Sequence, residues 1–206
     1  MNDKQNVTQL YGATGCGSAI TEIMYTLVGE SYQFIDVSGF EQPGSARNRL
    51  LQINPLAQVP ALQLADGRVI TESAAIALLL LDRHPQLVPA DRTRFYHLLI
   101  WLVANVYPTF TYGDVTTRWT LLGERELLAS TENYRQQLWR WLESQIEEGP
   151  YLFGTQISLL DAYLAVMVSW RPRQAWFAEH TPKLMAIARR VRELENIRPI
   201  IARNQL

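Results

Sequence analysis

Apolar residues recur along this chain with two different periods, and the change falls near residue 84. Val7–Gly12 and Tyr32–Val37 are short β-prone runs, of strand length. Between them Ile20, Ile23, Met24, Leu27 and Val28 repeat at i, i+3, i+4, i+7 and i+8, the stripe of an amphipathic helix. Ser18 precedes that stripe after the two-glycine turn Ala13–Gly17, and Gly29 follows it as a left-handed stop. Strand, helix, strand implies a parallel pair joined by a crossover helix. Ser38–Ile53 is polar and irregular, with a short helix expected at Ala46–Ile53. Ala61–Leu64 and Val69–Thr71 then flank Ala65-Asp66-Gly67-Arg68. Asp-Gly between β-prone runs predicts a hairpin with a type I′ turn, which needs positive φ at both central residues. Glu72-Ser73 opens the run Ala74–Leu81, rich in helix formers.

Strand–helix–strand followed by strand–strand–helix is the thioredoxin-like arrangement, so residues 1–83 are expected to form an α/β domain. Residues 84–91 carry two prolines and read as a linker. Beyond it only helical periods appear, so 92–206 is expected to be an all-α domain. Phe95, Leu98, Leu99, Leu102, Val103 and Val106 form one stripe, and Pro108 is expected to kink or end that helix. Thr109–Leu122 is aromatic and has no clear period. A second stripe runs through Leu127, Thr131, Tyr134, Leu138, Trp141 and Leu142, closed by Gly149-Pro150. Ser158-Leu159-Leu160-Asp161 reads as a variant capping box, with Asp161 reaching back to the Ser158 N–H. That makes Asp161 structural rather than catalytic. Two short helices, around Lys183–Arg192 and Pro199–Asn204, complete the chain.

Composition narrows the function. The chain has 206 residues, almost half of them hydrophobic, and a net charge of −1. It can bury substantial cores, and nothing in it suggests a polyanion footprint, so nucleic acid is not an expected partner. The one cysteine cannot form an internal disulfide, which suits a reducing compartment such as the cytoplasm. The N-terminal six residues are polar and lack the apolar core of a signal peptide. No apolar run is long enough to span a membrane. His84, His97 and His180 are scattered without metal-ligand spacing, so no metal is expected.

Chemistry concentrates around residues 54–76. Val59-Pro60 stands at the entry of one predicted strand, where proline needs no ladder hydrogen bond. A cis bond there would present the Val59 N–H and C=O to a ligand in strand-like fashion, and the sequence does not choose the isomer. The helix opening at Ser73 offers unpaired N–H groups and a hydroxyl, a ready anion site. Asn54-Pro55, Val59-Pro60 and Glu72-Ser73-Ala74-Ala75-Ile76, in this order and spacing, resemble the signature of the cytosolic glutathione S-transferases. Gly154 with Ser158–Asp161 is similar to that family's buried S/T-x-x-D box. The likeness extends over both domains, and the Cys-containing beta and omega classes are the nearest in character. The resemblance implies that Val59, next to Pro60, pairs with the cysteinyl backbone of glutathione, and that Glu72 and Ser73 hold its γ-glutamyl carboxylate. Many members carry Lys or Arg just before the V-P pair; this chain has Gln58, which brings a hydrogen bond without charge. Arg47 or Arg49 are alternatives for the glycyl carboxylate, though both also read as plain solvated charges.

Glutathione reacts as its thiolate, while a free thiol is mostly protonated at neutral pH. The family supplies a hydrogen bond from Tyr or Ser, or a Cys that forms a mixed disulfide. Cys16 lies in the turn where the resemblance puts that residue; its other reading is a small buried side chain. Ser18 is the second candidate, as thiolate donor or as plain N-cap. Thr14 can also donate, and Tyr11 falls at the strand end. Asn105, Tyr107 and Tyr112 are candidates for lining a pocket for a small electrophile, whereas Phe110 and Trp119 are expected to be core. The function so implied is a glutathione transferase, a homodimer serving detoxification with glutathione as co-substrate. The alternatives are a glutathione-dependent thiol–disulfide reductase acting through Cys16, or a non-catalytic interaction protein on the same fold.

Overall fold

The computed structural model describes residues 7–206. The polar N-terminal hexapeptide, from which the lack of a signal peptide was read, lies outside the described residues. The chain divides into two compact units: one runs to Leu87 and takes in Val191–Leu206, and the other is Val88–Arg190.

The first unit is built on a four-stranded sheet in the order β2-β1-β3-β4, from β1 (Gln9–Gly12), β2 (Gln33–Asp36), β3 (Ala61–Gln63) and β4 (Val69–Thr71). β1 and β2 are parallel, and the other pairs are antiparallel. Helix α1 (Ser18–Val28) makes the crossover and packs against α3 (Ser73–Arg83). Gly29 closes α1 in the left-handed conformation, at φ 77°, the geometry for which glycine has no steric cost. Tyr11, Ile35 and Ala61 share one face of the sheet with Leu50 of α2 (Ser45–Leu51). Leu10 and Leu62, one residue away in each strand and fully buried, point to the opposite face. This is the α/β thioredoxin-like domain that the order of elements predicts.

The β3–β4 hairpin differs in detail from the type I′ expectation. Gly67 N–H donates to the Leu64 carbonyl at 2.9 Å and Leu64 N–H to the Arg68 carbonyl at 2.8 Å. Gly67 alone has positive φ (87°), so the loop is a turn over Leu64–Gly67 followed by a left-handed glycine, the three-residue hairpin. Asp66 fixes it by accepting from the Arg68 N–H at 3.0 Å.

Val191–Leu206 was expected to belong with the helices that precede it. In the structure its end, including α10 (Arg198–Arg203), packs on the sheet unit. The tie is polar and buried: Glu22 of α1, fully inaccessible, accepts from Tyr32, Arg203 and Asn204.

The second unit is helical: α4 (Arg92–Trp101), α5 (Tyr107–Asp114), α6 (Glu124–Ser144), α7 (Leu159–Met167), α8 (Gln174–His180) and most of α9 (Pro182–Arg192). Pro108 neither ends nor breaks the first rod. Residues Leu102–Val106 widen into a π-helical segment between α4 and α5, and the Asn105 amide donates to the Trp101 carbonyl at 2.9 Å. The wider turn absorbs the missing N–H of proline, and a side chain takes up a carbonyl of the preceding turn. In α6 the buried face holds Arg135, Leu138, Trp139 and Leu142, while Tyr134 and Trp141 are exposed. Leu138 and Leu142 of the expected stripe are buried, while Arg135 and Trp139 are buried in addition to it; the Arg135 guanidinium donates to the hydroxyl and carbonyl of Thr109 and lies 3.9 Å from the Phe110 ring centre. α8 lies in a stretch where no helix was predicted.

Every residue of α7 is buried, so its start has no water to satisfy it. Asp161 performs that task, accepting from Ser158 N–H at 2.7 Å, the Ser158 hydroxyl at 2.8 Å and Leu152 N–H at 2.9 Å. Asp161→Ala leaves two buried N–H groups without an acceptor and is expected to lose about 3 kcal/mol of stability. Urea denaturation at pH 7.5, above the value of about 6 to which burial pushes this carboxyl, measures it. A loss below about 1 kcal/mol would mean that the box is not structural.

Candidate functional site

The sheet register brings the candidate segments to one edge. Tyr11 pairs with Ala61, and Ala61 with Thr71. One step beyond that rung the chain continues into Gly12 and the turn to α1, into Pro60 and Val59, and into Glu72 and Ser73. The starts of α1 and α3 therefore lie at the same end of the sheet, where helix dipoles favour negative charge.

The turn Ala13–Gly17 is pinned at four of its N–H groups. Ala13 donates to Ser18 Oγ at 3.1 Å, Thr14 to Ser38 Oγ at 3.3 Å, Gly15 to Asn204 Oδ1 at 3.2 Å, and Cys16 to the Ala13 carbonyl at 3.2 Å. Close approach requires glycine at position 12: a Cβ there would sit 2.6 Å from Ser18 Cβ and 2.7 Å from the Phe34 ring. Ser18 is fully buried, and its hydroxyl both accepts from and donates to the Ala13 peptide. It closes the turn, which is a different task from the thiolate donor proposed for it on sequence. Tyr11 is buried in the α2-side core and donates to Gln9 Oε1, so it does not face the turn.

Cys16 carries the one thiol of the turn. It is half-buried, and its thiol is pushed up from its ordinary value, first by burial and then by the negative charge of Glu41. A helix start favours a thiolate, but burial is the larger influence here.

Across the sheet end, buried Asn54 shapes the approach to the proline. Its amide donates to the Gln58 carbonyl at 2.9 Å, and its Oδ1 accepts from Leu56 N–H at 3.1 Å. The Val59–Pro60 bond is cis, and the Val59 N–H and C=O enter none of the described hydrogen bonds. An extended ligand can pair with them as a strand would. Gln58 is exposed. Glu72 has φ 66° and ψ 116°, a conformation that costs on the order of 1–3 kcal/mol and persists where the surroundings impose it. Its side chain is exposed, and Ser73, the first residue of α3, is buried. Arg47 donates to the Phe40 carbonyl at 3.1 Å, and Arg49 is exposed at the end of α2.

The candidates for lining an electrophile pocket all lie in the helical unit, and no described contact brings them together. The Asn105 amide serves the π segment. Tyr107 meets Trp170 edge-on at 5.7 Å, and Tyr112 meets Trp119 at 4.8 Å. Phe110 is core under Arg135, as expected. Trp119 is not: it is 48% exposed, with its indole N–H on the Thr111 carbonyl. Among the described residues no group of His, Cys, Asp and Glu side chains could hold a metal ion, and no helix is long and apolar enough to cross a membrane. Sequence reasoning missed Ser38, Glu41 and Asn204, which reach the turn from other elements, and Glu22, which is buried within α1.

The raised thiol predicts a pH profile. Because Cys16 is the single cysteine, alkylation by iodoacetamide reports it alone. The rate should still be climbing at pH 9, with less than about 3% thiolate at pH 7, and Glu41→Gln should move the curve to lower pH. A midpoint below pH 7 would contradict the burial seen here.

Comparison with known proteins agrees with this geometry. The model of the glutathione S-transferase N-terminal domain matches residues 18–83. The uncharacterized GST-like protein YncG of Escherichia coli K12 is 45% identical over 202 residues, 96% of this chain and 98% of that protein. Glutathione S-transferase GstA of Escherichia coli O157:H7 is 23% identical over 79% of this chain and 81% of its own length. Among solved structures, a glutathione transferase homologue from Sulfitobacter with bound glutathione superimposes with a TM-score of 0.84 at 23% identity, covering 98% of this chain and all of that one. With that relationship to YncG along nearly its whole length, and the sheet and helices described above, the chain belongs to the cytosolic glutathione S-transferase superfamily.

Proposed function

We propose that the protein is a glutathione transferase that joins the glutathione thiolate to a small electrophile. The observation that carries this reading is the convergence of three segments on one sheet end: the unpaired main chain of Val59, the imposed backbone of Glu72 at the start of α3, and the turn bearing Cys16. Val59 pairs with the cysteinyl backbone of glutathione, beside Pro60. Glu72 and the α3 N-terminus at Ser73 take its γ-glutamyl ammonium and carboxylate, an anion at a helix start. Gln58 contributes a neutral hydrogen bond near the glycyl end, so affinity rests on the γ-glutamyl end.

A raised thiol pKa suits Cys16 to act as an S–H donor towards the glutathione sulfur rather than as a thiolate itself. The glutathione proton leaves to solvent, its sulfur forms the new S–C bond, and the electrophile accepts the electron pair or expels its leaving group. Asn105, Tyr107 and Tyr112 are the residues proposed to meet the electrophile. A homodimer, a cytoplasmic location and a detoxifying role complete the reading by family likeness.

One observation favours a second reading. A lone thiol at the start of α1 has the composition of a glutathione-dependent thiol–disulfide reductase, in which Cys16 sulfur forms the mixed disulfide. Its raised pKa weighs against this, because exchange proceeds through the thiolate.

Calorimetry separates these readings. Wild type is expected to bind glutathione, Ser73→Ala to bind at least tenfold more weakly, and Cys16→Ser to keep affinity and most conjugating activity, since a hydroxyl also donates. Loss of all activity in Cys16→Ser with affinity intact would favour the reductase. No heat of binding from wild type at millimolar glutathione would remove both readings in favour of an interaction protein.

A further inference from the structure

The last helix of the chain ends against its first turn. Asn204, 2% exposed, accepts the Gly15 N–H on Oδ1 at 3.2 Å, and its Nδ2 donates to Glu22 Oε1 at 2.9 Å and to the Ile200 carbonyl at 3.0 Å. Glu22, fully buried in the middle of α1, also accepts from the Tyr32 hydroxyl at 3.1 Å and from Arg203. Arg203 in turn lies 5.2 Å from the centre of the Phe34 ring, the ring that also crowds Gly12.

This chain of contacts has a direction. A carboxylate only accepts hydrogen bonds, so Glu22 holds the Nδ2 edge of Asn204. The opposite edge, Oδ1, then faces the Gly15 N–H. Gly15 is the residue before Cys16, at φ 73°, and its neighbours in the turn are held by other elements. Without Oδ1, the Gly15 N–H would lose this part-buried acceptor, and the loss of a buried acceptor is costly. The turn can avoid that cost by opening.

We propose that Asn204, oriented by Glu22, is a positioning residue for the Cys16 turn, so that the carboxyl-terminal segment forms part of the glutathione site. The role in glutathione binding rests on the function proposed above; the role in holding Cys16 does not. Glu22 acts through Asn204, and neither residue touches the sulfur. The charged group facing Cys16 itself is Glu41.

The test uses the full chain with Asn204→Leu, which keeps the branched shape and removes both polar edges, and Arg198→Ala as an exposed control in the last helix. Two readouts are taken: the pH profile of Cys16 alkylation by iodoacetamide, and glutathione affinity. Asn204→Leu is expected to raise the alkylation rate at pH 7 at least threefold and to shift its midpoint to lower pH, with glutathione bound at least fivefold more weakly. Arg198→Ala should match wild type in both. An alkylation profile unchanged in Asn204→Leu overturns the proposal. A shifted profile in a protein that binds no glutathione even as wild type upholds the positioning of Cys16 and overturns the transferase reading instead. Should the variant fail to fold, hydrogen exchange of the Gly15 amide in wild type decides: protection of at least tenfold is expected, and exchange at the rate of an open loop overturns the proposal.

Discussion

The antiparallel pairing of β3 with β1 is the constraint on which the site depends. It sets Ala61 beside Tyr11 and, through β4, Thr71 beside Ala61. Three segments far apart in the chain then leave the sheet at one end. A slip of β3 by one residue against β1 would turn Ala61 away from the α2-side cluster and send Leu62 into it. The buried faces on both sides therefore hold the register, and the register holds the site.

Within that frame the turn before α1 is rigid because four separate elements supply its acceptors: α1 through Ser18, the β2 end through Ser38, the carboxyl terminus through Asn204, and the turn's own Ala13 carbonyl. Rigidity has a chemical consequence. Four of the turn's N–H groups are engaged, and burial, ahead of the charge of Glu41, pushes the Cys16 thiol up. A neutral S–H beside an anion-favouring helix start is suited to donate to another sulfur's negative charge. The imposed backbone at Glu72 is the complementary feature across the sheet end, because strain of this kind is retained where it serves a ligand.

Much of this was legible in the sequence because it is local. The α1 stripe and its Gly29 stop, the Asp-Gly hairpin, the α3 start and the Ser158–Asp161 box all depend on neighbours within a few positions. The failures have a common physical origin in tertiary override. Ser18 has the composition of an N-cap but closes onto Ala13. Pro108 was expected to kink or end a helix, and a π-helical turn precedes it before the chain continues as α5. Arg135, outside the expected stripe, is buried where Thr109 and Phe110 receive its guanidinium. Glu22 and Asn204 lie 182 positions apart, so no periodicity links them.

The crystal structure of the protein with glutathione tests the convergence of the three segments most directly. The cysteinyl main chain should pair with Val59, the γ-glutamyl carboxylate should rest on the start of α3 at Ser73, and the glutathione sulfur should lie within about 4 Å of Cys16 Sγ. Glutathione bound away from this sheet end, or with its sulfur turned from Cys16 and its backbone unpaired with Val59, would contradict that assignment.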